Sequence, residues 1–140
     1  MISVDEALAL VLALANPPEP EEIPLDQALG RAMVAPAVAR LTQPPFDAAA
    51  MDGYALRTAD LPGPLPVIGT AAAGVPYAGE TPPGSAIRIF TGAPVPPGYD
   101  RVVIQEIVTR DGDRITVGAT GANTNIRLKG NDFHEGTGFQ

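Results

Sequence analysis

Apolar residues recur at helical spacing near the start of the chain, where Ala7, Leu8, Val11, Leu12 and Ala15 share one face. Ser3 stands at the N-cap position and Glu6, three residues on, completes a capping box, so the pattern predicts a helix that Asn16, Pro17 and Pro18 stop. A second, short helix is expected over about Leu25 to Leu29, with Pro24 at its first turn, Gly30 after its last, and Glu21 and Glu22 at its positive end. The period then changes. Val34, Val38, Tyr54 to Leu56, Pro66 to Thr70, Ile87 to Phe90, Val102 to Ile107 and Ile115 to Val117 are short apolar or β-branched runs, mostly bounded by Gly or Pro, and read as strands. Asp111-Gly112 predicts a two-residue I′ hairpin turn, with Arg110 facing Asp113, Thr109 facing Arg114 and Val108 facing Ile115. Prolines at 62, 64, 66, 76, 82, 83, 94, 96 and 97 cannot donate to central ladders. The expected fold is mainly β with short N-terminal helices, its sheets irregular, bent and split rather than closed into a regular barrel.

Composition sharpens that picture. The 140 residues include 35 Leu, Ile, Val and Phe, a quarter of the chain and above the roughly 20% line below which disorder is expected, so a packed core is within reach. Gly and Pro make up 31 residues, which excludes an all-helical bundle. The chain has no cysteine, so disulfides, thiolate metal sites and cysteine nucleophiles are excluded, in keeping with a cytoplasmic location. Nine Lys and Arg against 16 Asp and Glu leave a formal net charge of -7, which repels polyanions and argues against nucleic-acid or membrane binding. The apolar run Ala7 to Ala15 is too short to span a bilayer and follows Asp5 and Glu6, so no export signal is expected.

Several chemistries fail on spacing. Gly69 and Gly74 have P-loop spacing, but Val75 and Pro76 stand where Lys and Ser or Thr are required. His134, the single histidine, makes a His-based metal site or a Ser-His-Asp triad improbable and reads as a solvated side chain. Four segments are left. In Pro44 to Ala55, two prolines fix an extended run, three alanines leave little side-chain bulk, and Asp52-Gly53 sets a carboxylate beside accessible backbone. Asp52 could orient a water, hold a divalent cation or accept a proton, or be only a turn residue. In Arg88 to Gly98, a strand runs into Thr91-Gly92, where a hydroxyl and an unshielded amide could meet an oxyanion, or into a plain proline-rich turn. Val102 to Glu106 ends a strand on polar residues, and Asn125 to Asp132 gathers Arg127 and Lys129 near a glycine turn, as an anion contact or a surface salt-bridge cluster.

In this order the segments resemble the MoeA family of molybdopterin molybdotransferases, related to the gephyrin E domain. The resemblance is carried by Ile23-Pro24-Leu25-Asp26-Gln27-Ala28-Leu29-Gly30-Arg31, Pro45-Phe46-Asp47 through Ala50-Met51-Asp52-Gly53-Tyr54-Ala55, Ile89-Phe90-Thr91-Gly92-Ala93-Pro94-Val95-Pro96, Gln105-Glu106 and Asn125-Ile126-Arg127. It implies insertion of molybdate into adenylated molybdopterin with release of AMP, magnesium-dependent, by a homodimer whose larger α/β domain forms the floor of the cleft. It places Asp52 and Thr91 as catalytic residues and Gly53 and Gly92 as substrate-binding ones, with Mg2+ and molybdate implied but no metal-binding motif in this chain.

The resemblance also has departures: Ala48 and Ala49 replace the usual Asn and Ser, Tyr99 and Arg101 flank Asp100 where small residues are usual, Ile107 and Val108 follow Glu106 where polar residues often occur, and Asn131 stands where Glu is usual. The expected organisation is the first part of an elongated subdomain at 1–39, a β-rich domain at 40–125 and a return segment at 126–140, with the C-terminal domains missing and the chain inactive alone. Two other readings remain: a noncatalytic protein-interaction module using proline-stiffened loops and a sheet edge, and a small hydrolase pairing Asp47 with Asp52.

Overall fold

The computed structural model describes residues 2–16 and 19–140; Pro17 and Pro18, expected to end the first helix, lie outside them. The chain divides into two compact units, Met1–Ala37 with Gln140, and Val38–Phe139.

In the first unit, helix α1 (Val4–Ala13) starts on the capping box read from the sequence: Glu6 N–H donates to Ser3 Oγ at 3.2 Å and Ser3 N–H donates to the Glu6 carboxylate at 2.8 Å. The Ser3 backbone bond, more than its side chain, holds the Glu6 carboxyl below its ordinary value. The apolar stripe of α1 buries nothing, and Val11 and Leu12 are each 63% exposed. The second expected helix shrinks to one 3₁₀ turn, Leu25–Gln27. Five residues between Pro24 and Gly30 allow little more than a helix nucleus, whose entropy cost is not recovered without propagation. Val34 sits in a bend rather than a strand, exposed and without a ladder partner.

The second unit holds the sheets. In chain order the strands are β1 (Ala37–Val38), β2 (Ala48–Ala49), β3 (Gly53–Leu56), β4 (Leu65–Ala71), β5 (Ala86–Ile89), β6 (Arg101–Ile104), β7 (Val108–Asp111), β8 (Arg114–Val117), β9 (Ile126–Arg127) and β10 (Gly138–Phe139). Six form one sheet in the order β6-β3-β5-β4-β8-β7, antiparallel throughout except for β4 beside β5. A register shift between Val67 and Thr70 bends β4, so that Leu65 and Pro66 pair with β8 while the later residues follow β5. That bend splits the sheet, as the proline pattern predicts.

Side chains alternate across β3, β5 and β6 and feed two cores on opposite faces. Ala55, Ile87, Ile89 and Val102 join Ala49, Ala71, Ala93 and Tyr99, whereas Tyr54, Leu56, Ala86 and Val103 join Leu65, Ile115 and Val117. The hairpin forms one step further along than the sequence suggests: Asp111 pairs Arg114, Arg110 pairs Ile115, and Val108 pairs Val117. Gly112, at φ +61°, takes the first loop position and Asp113 the second, the arrangement of a II′ turn rather than I′. The shifted register sets Val108 against Val117. The expected strand Val102 to Ile107 also ends early, at Ile104, and Gln105–Ile107 form a 3₁₀ turn. Its partner β3 begins at Gly53, opposite Ile104, so the ladder has nowhere to continue.

A narrow antiparallel ribbon closes the unit. Ala39 N–H donates to Thr137 O at 2.9 Å, Gln43 N–H donates to Phe133 O at 2.8 Å, and β2 pairs β9 through Ala48–Arg127 and Ala49–Ile126. No described helix is long and apolar enough to cross a membrane.

Candidate functional site

The backbone joins the first two candidate segments directly. Ala49 N–H donates to Ala93 O and Gly92 N–H to Ala49 O, each at 2.9 Å, and Val95 N–H donates to Asp47 O at 2.8 Å. The alanine run does less to admit a ligand than its size suggests. Ala48 and Ala49 are buried against β9 and the core, and only Ala50 is exposed.

Asp52 ends the loop before β3, and Thr91 lies two residues past the end of β5, in the loop that Phe90 begins. Because β3 and β5 are antiparallel with Gly53 opposite Ile89, the two loops meet at the same end of the sheet. Thr91 N–H donates to Asp52 Oδ1 at 2.8 Å and Thr91 Oγ1 donates to the same oxygen at 2.7 Å. The Thr91 backbone bond first, then its hydroxyl, with a smaller pull from the Arg88 charge, holds the Asp52 carboxyl below the usual aspartate value. Asp52 is therefore an ionised carboxylate on an exposed loop, and among the described residues its Oδ2 accepts no hydrogen bond. The donors expected to meet an oxyanion are engaged: both Thr91 donors turn to Asp52, and Gly92 N–H to Ala49.

The two site glycines meet different constraints. A Cβ on Gly53 would stand 1.9 Å from the Val103 carbonyl oxygen, so its bareness lets β6 approach. Gly92 is exposed at φ +81°, where a Cβ would only touch Ala73 Cβ at 3.8 Å, an ordinary contact.

Arg88, which the sequence pattern does not single out, reaches the same place. Nη1 donates to Gly53 O at 2.7 Å and Nη2 donates to Gln105 Oε1 at 2.6 Å, while the guanidinium lies over the rings of Phe90, at 4.5 Å, and Tyr54, at 5.2 Å. Gln105 N–H in turn donates to Asp52 O at 3.3 Å, and Gln105 Nε2 donates to Glu106 Oε1 at 3.4 Å. The signal was a lone cation in an otherwise apolar strand, between Ile87 and Ile89.

The remaining candidates have structural work. Asp47 Oδ1 accepts Lys129 N–H at 2.8 Å, so the carboxylates proposed as a hydrolytic pair serve separate loops. Arg127 pairs with Asp132, the salt-bridge reading of the fourth segment. Tyr99 is buried with its hydroxyl 2.7 Å from Ser85 Oγ, and Arg101 fixes the loop after β8 through the carbonyls of Gly121 and Asn123, at 2.9 and 3.0 Å. His134 is exposed and lies over Gly130. Among the described residues no three His, Cys, Asp or Glu side chains gather as a metal site.

A profile of the MoeA N-terminal region (domain I and II) matches residues 2–138. The molybdopterin molybdenumtransferase of Haemophilus influenzae is 38% identical over 141 residues, which cover 97% of this chain and 35% of that protein. That of Nostoc sp. is 35% identical over 136 residues, 91% of this chain and 31% of that protein. The crystal structure of the molybdopterin biosynthesis MoeA protein from Pyrococcus horikoshii OT3 is similar at a TM-score of 0.83 and 37% identity, over 97% of this chain and 38% of that one. The chain thus spans about a third of the length of these relatives. With the profile matched almost from end to end, and with the MoeA segments meeting around Asp52 and Thr91, this chain belongs to the MoeA family, as its N-terminal region.

Proposed function

We propose that this chain is the N-terminal part of an enzyme that inserts molybdate into adenylated molybdopterin, releasing AMP, and that Asp52 and Thr91 act in that reaction. The observation that carries the reading is the Asp52 carboxylate, kept ionised by two bonds from Thr91 and with its second oxygen open on an exposed loop. In this reading Gly92 leaves substrate room beside Thr91, and Gly53 lets the strand carrying Asp52 close on β6. Phosphate, molybdate and dithiolene are all anionic while this chain carries -7, so cationic binding groups come from the rest of the enzyme. A homodimer in the cytoplasm, without nucleic acid or membrane as partner, completes the proposal, as does the division at 1–39, 40–125 and 126–140. The chain alone is inactive.

Magnesium, which the family resemblance implies, fits here as a shared ion rather than a caged one. Mg2+ is commonly held by one or two carboxylates, with water and substrate phosphate supplying the rest. Asp52 Oδ2 would be the protein ligand, and the bound ion would offset phosphate charge.

The test is a hybrid in which this chain replaces the matching first third of the Haemophilus influenzae relative, assayed for molybdate insertion beside its Asp52→Ala variant. Activity that depends on Asp52 supports the reading. A folded but inactive hybrid, or an active Asp52→Ala, refutes it and moves a noncatalytic interaction role ahead.

A further inference from the structure

We propose that Arg88 is a positioning residue for Asp52, locking the backbone that carries the carboxylate so that Asp52 is presented to substrate in one orientation. The inference rests on the working role proposed for Asp52 above. Arg88 is the single charged residue of β5, half-buried at the centre of the sheet, and it lies on the same face as Tyr54, its cross-strand partner. Among the described residues the ion pairs are Arg31–Glu21 and Arg127–Asp132, so Arg88 directs its charge to neutral acceptors.

Those acceptors are specific. Nη1 holds the carbonyl of Gly53, the residue after Asp52, and Nη2 holds the side chain of Gln105, whose own N–H holds the carbonyl of Asp52. Two consecutive carbonyls on the C-terminal side of the carboxylate are thus pinned, one directly and one through Gln105. Arg88 also stacks on Phe90, the residue before Thr91, so one guanidinium steadies both loops whose meeting defines the site. A planar fork with two parallel donors and a face for stacking is what this geometry uses, and lysine has neither. A purely structural filler at this position would need no charge. A cation without a carboxylate partner, placed beside Asp52, also favours the ionised form of that carboxylate.

The experiment uses the full-length hybrid described above, with Arg88→Met, Arg88→Lys, Asp52→Ala and, as a distant control on the hairpin, Arg110→Met. Arg88→Met is expected to lower kcat by about 10- to 100-fold, the scale on which small misplacements act, with KM for adenylated molybdopterin changed by less than about threefold. Arg88→Lys falls about tenfold, because charge alone does not restore the fork, while Arg110→Met matches wild type. Independently of activity, NMR titration of the Asp52 carboxyl in the 140-residue chain moves up toward the ordinary aspartate value in Arg88→Met, and the Thr91 amide resonance shifts with it. Full kcat in Arg88→Met beside an inactive Asp52→Ala overturns the inference and leaves the Asp52 reading intact. An active Asp52→Ala overturns both. If Arg88→Met does not fold, a folded Arg88→Lys with wild-type kcat overturns it; so do an unmoved Asp52 titration in a folded Arg88→Met and an unmoved Thr91 amide resonance in whichever variant folds.

Discussion

Replacing Gly53 with alanine tests the closest approach in the sheet. The new Cβ would lie 1.9 Å from Val103 O, 2.8 Å from Val103 C and 3.1 Å from Ile104 Cα, all backbone atoms of β6 that no rotamer change can move aside. To reach ordinary contact, β6 must retreat by more than an ångström along a ladder in which Gly53 pairs Ile104 and Tyr54 pairs Val103. Val102 and Val103, 0% and 2% exposed, move with it. Overpacking costs about 1–3 kcal/mol, and a weakened ladder bond adds about 1 kcal/mol, so the expected loss is about 2–4 kcal/mol. For a chain of this size that corresponds to a drop in Tm of about 10 °C. Two glycines calibrate the result. Gly92→Ala meets only Ala73 Cβ at 3.8 Å but sits at φ +81°, which costs about 1–2 kcal/mol of backbone strain. Gly121→Ala meets nothing within 4 Å and has no positive φ, so it stays within about 0.5 kcal/mol of wild type. Urea unfolding followed by far-UV circular dichroism, with unchanged m-values, gives the ranking. A Gly53→Ala no worse than Gly92→Ala would refute the pairing of β3 with β6.

Thr91→Val removes one of the two bonds to Asp52 and leaves the larger, from the backbone amide, so the NMR midpoint of Asp52 rises only part of the way to its ordinary value. In the wild type that carboxylate's contribution to stability is fully present above the unfolded-state pKa and is lost as pH falls through the lower folded one, a trend that Asp52→Asn flattens in acid unfolding series. Tyr99→Phe removes a buried hydroxyl bonded to Ser85 and costs about 1 kcal/mol in urea unfolding. Burial raises the Tyr99 pKa, so its ultraviolet titration lies above that of free tyrosine, and its contribution to stability, intact below the unfolded value, is lost as pH rises through the folded one. Ser3→Ala breaks the capping box of α1 and costs about 1 kcal/mol of helix stability, read as faster amide exchange in its first turn.

Much of the fold is legible where local chemistry decides. The capping box at Ser3 and Glu6 is a four-residue device, and the proline spacing dictates a bent, split sheet. Hairpin register is not local: Asp111-Gly112 permits one pairing, but Val108 packs on Val117 in a core that includes Leu65, far away in sequence. The end of β6 is set likewise by where β3 begins. At the site, Asp52 and Thr91 are visible as a carboxylate beside glycine and a hydroxyl beside glycine, and the family resemblance links them. Their mutual bond is invisible before two strands align, and so is the diversion of the Thr91 donors from any incoming anion. Arg88 escapes notice because a single cation in a strand carries no motif, and its four contacts lie on three separate segments.

The ribbon that joins residues 38–49 to 126–139 brings the two ends of the β unit side by side, with Ala39 and Thr137 sharing a hydrogen bond. A domain with adjacent ends behaves as a cassette: it can be inserted into a host chain at a single exposed turn without prising that turn apart. The same closure ties off a loop of about 100 residues, whose entropy cost grows only with the logarithm of its length. Insertions at the tips of its internal turns, such as Gly112 or Gly121, should therefore lengthen the loop at little cost, whereas cutting the ribbon would release the whole loop at once.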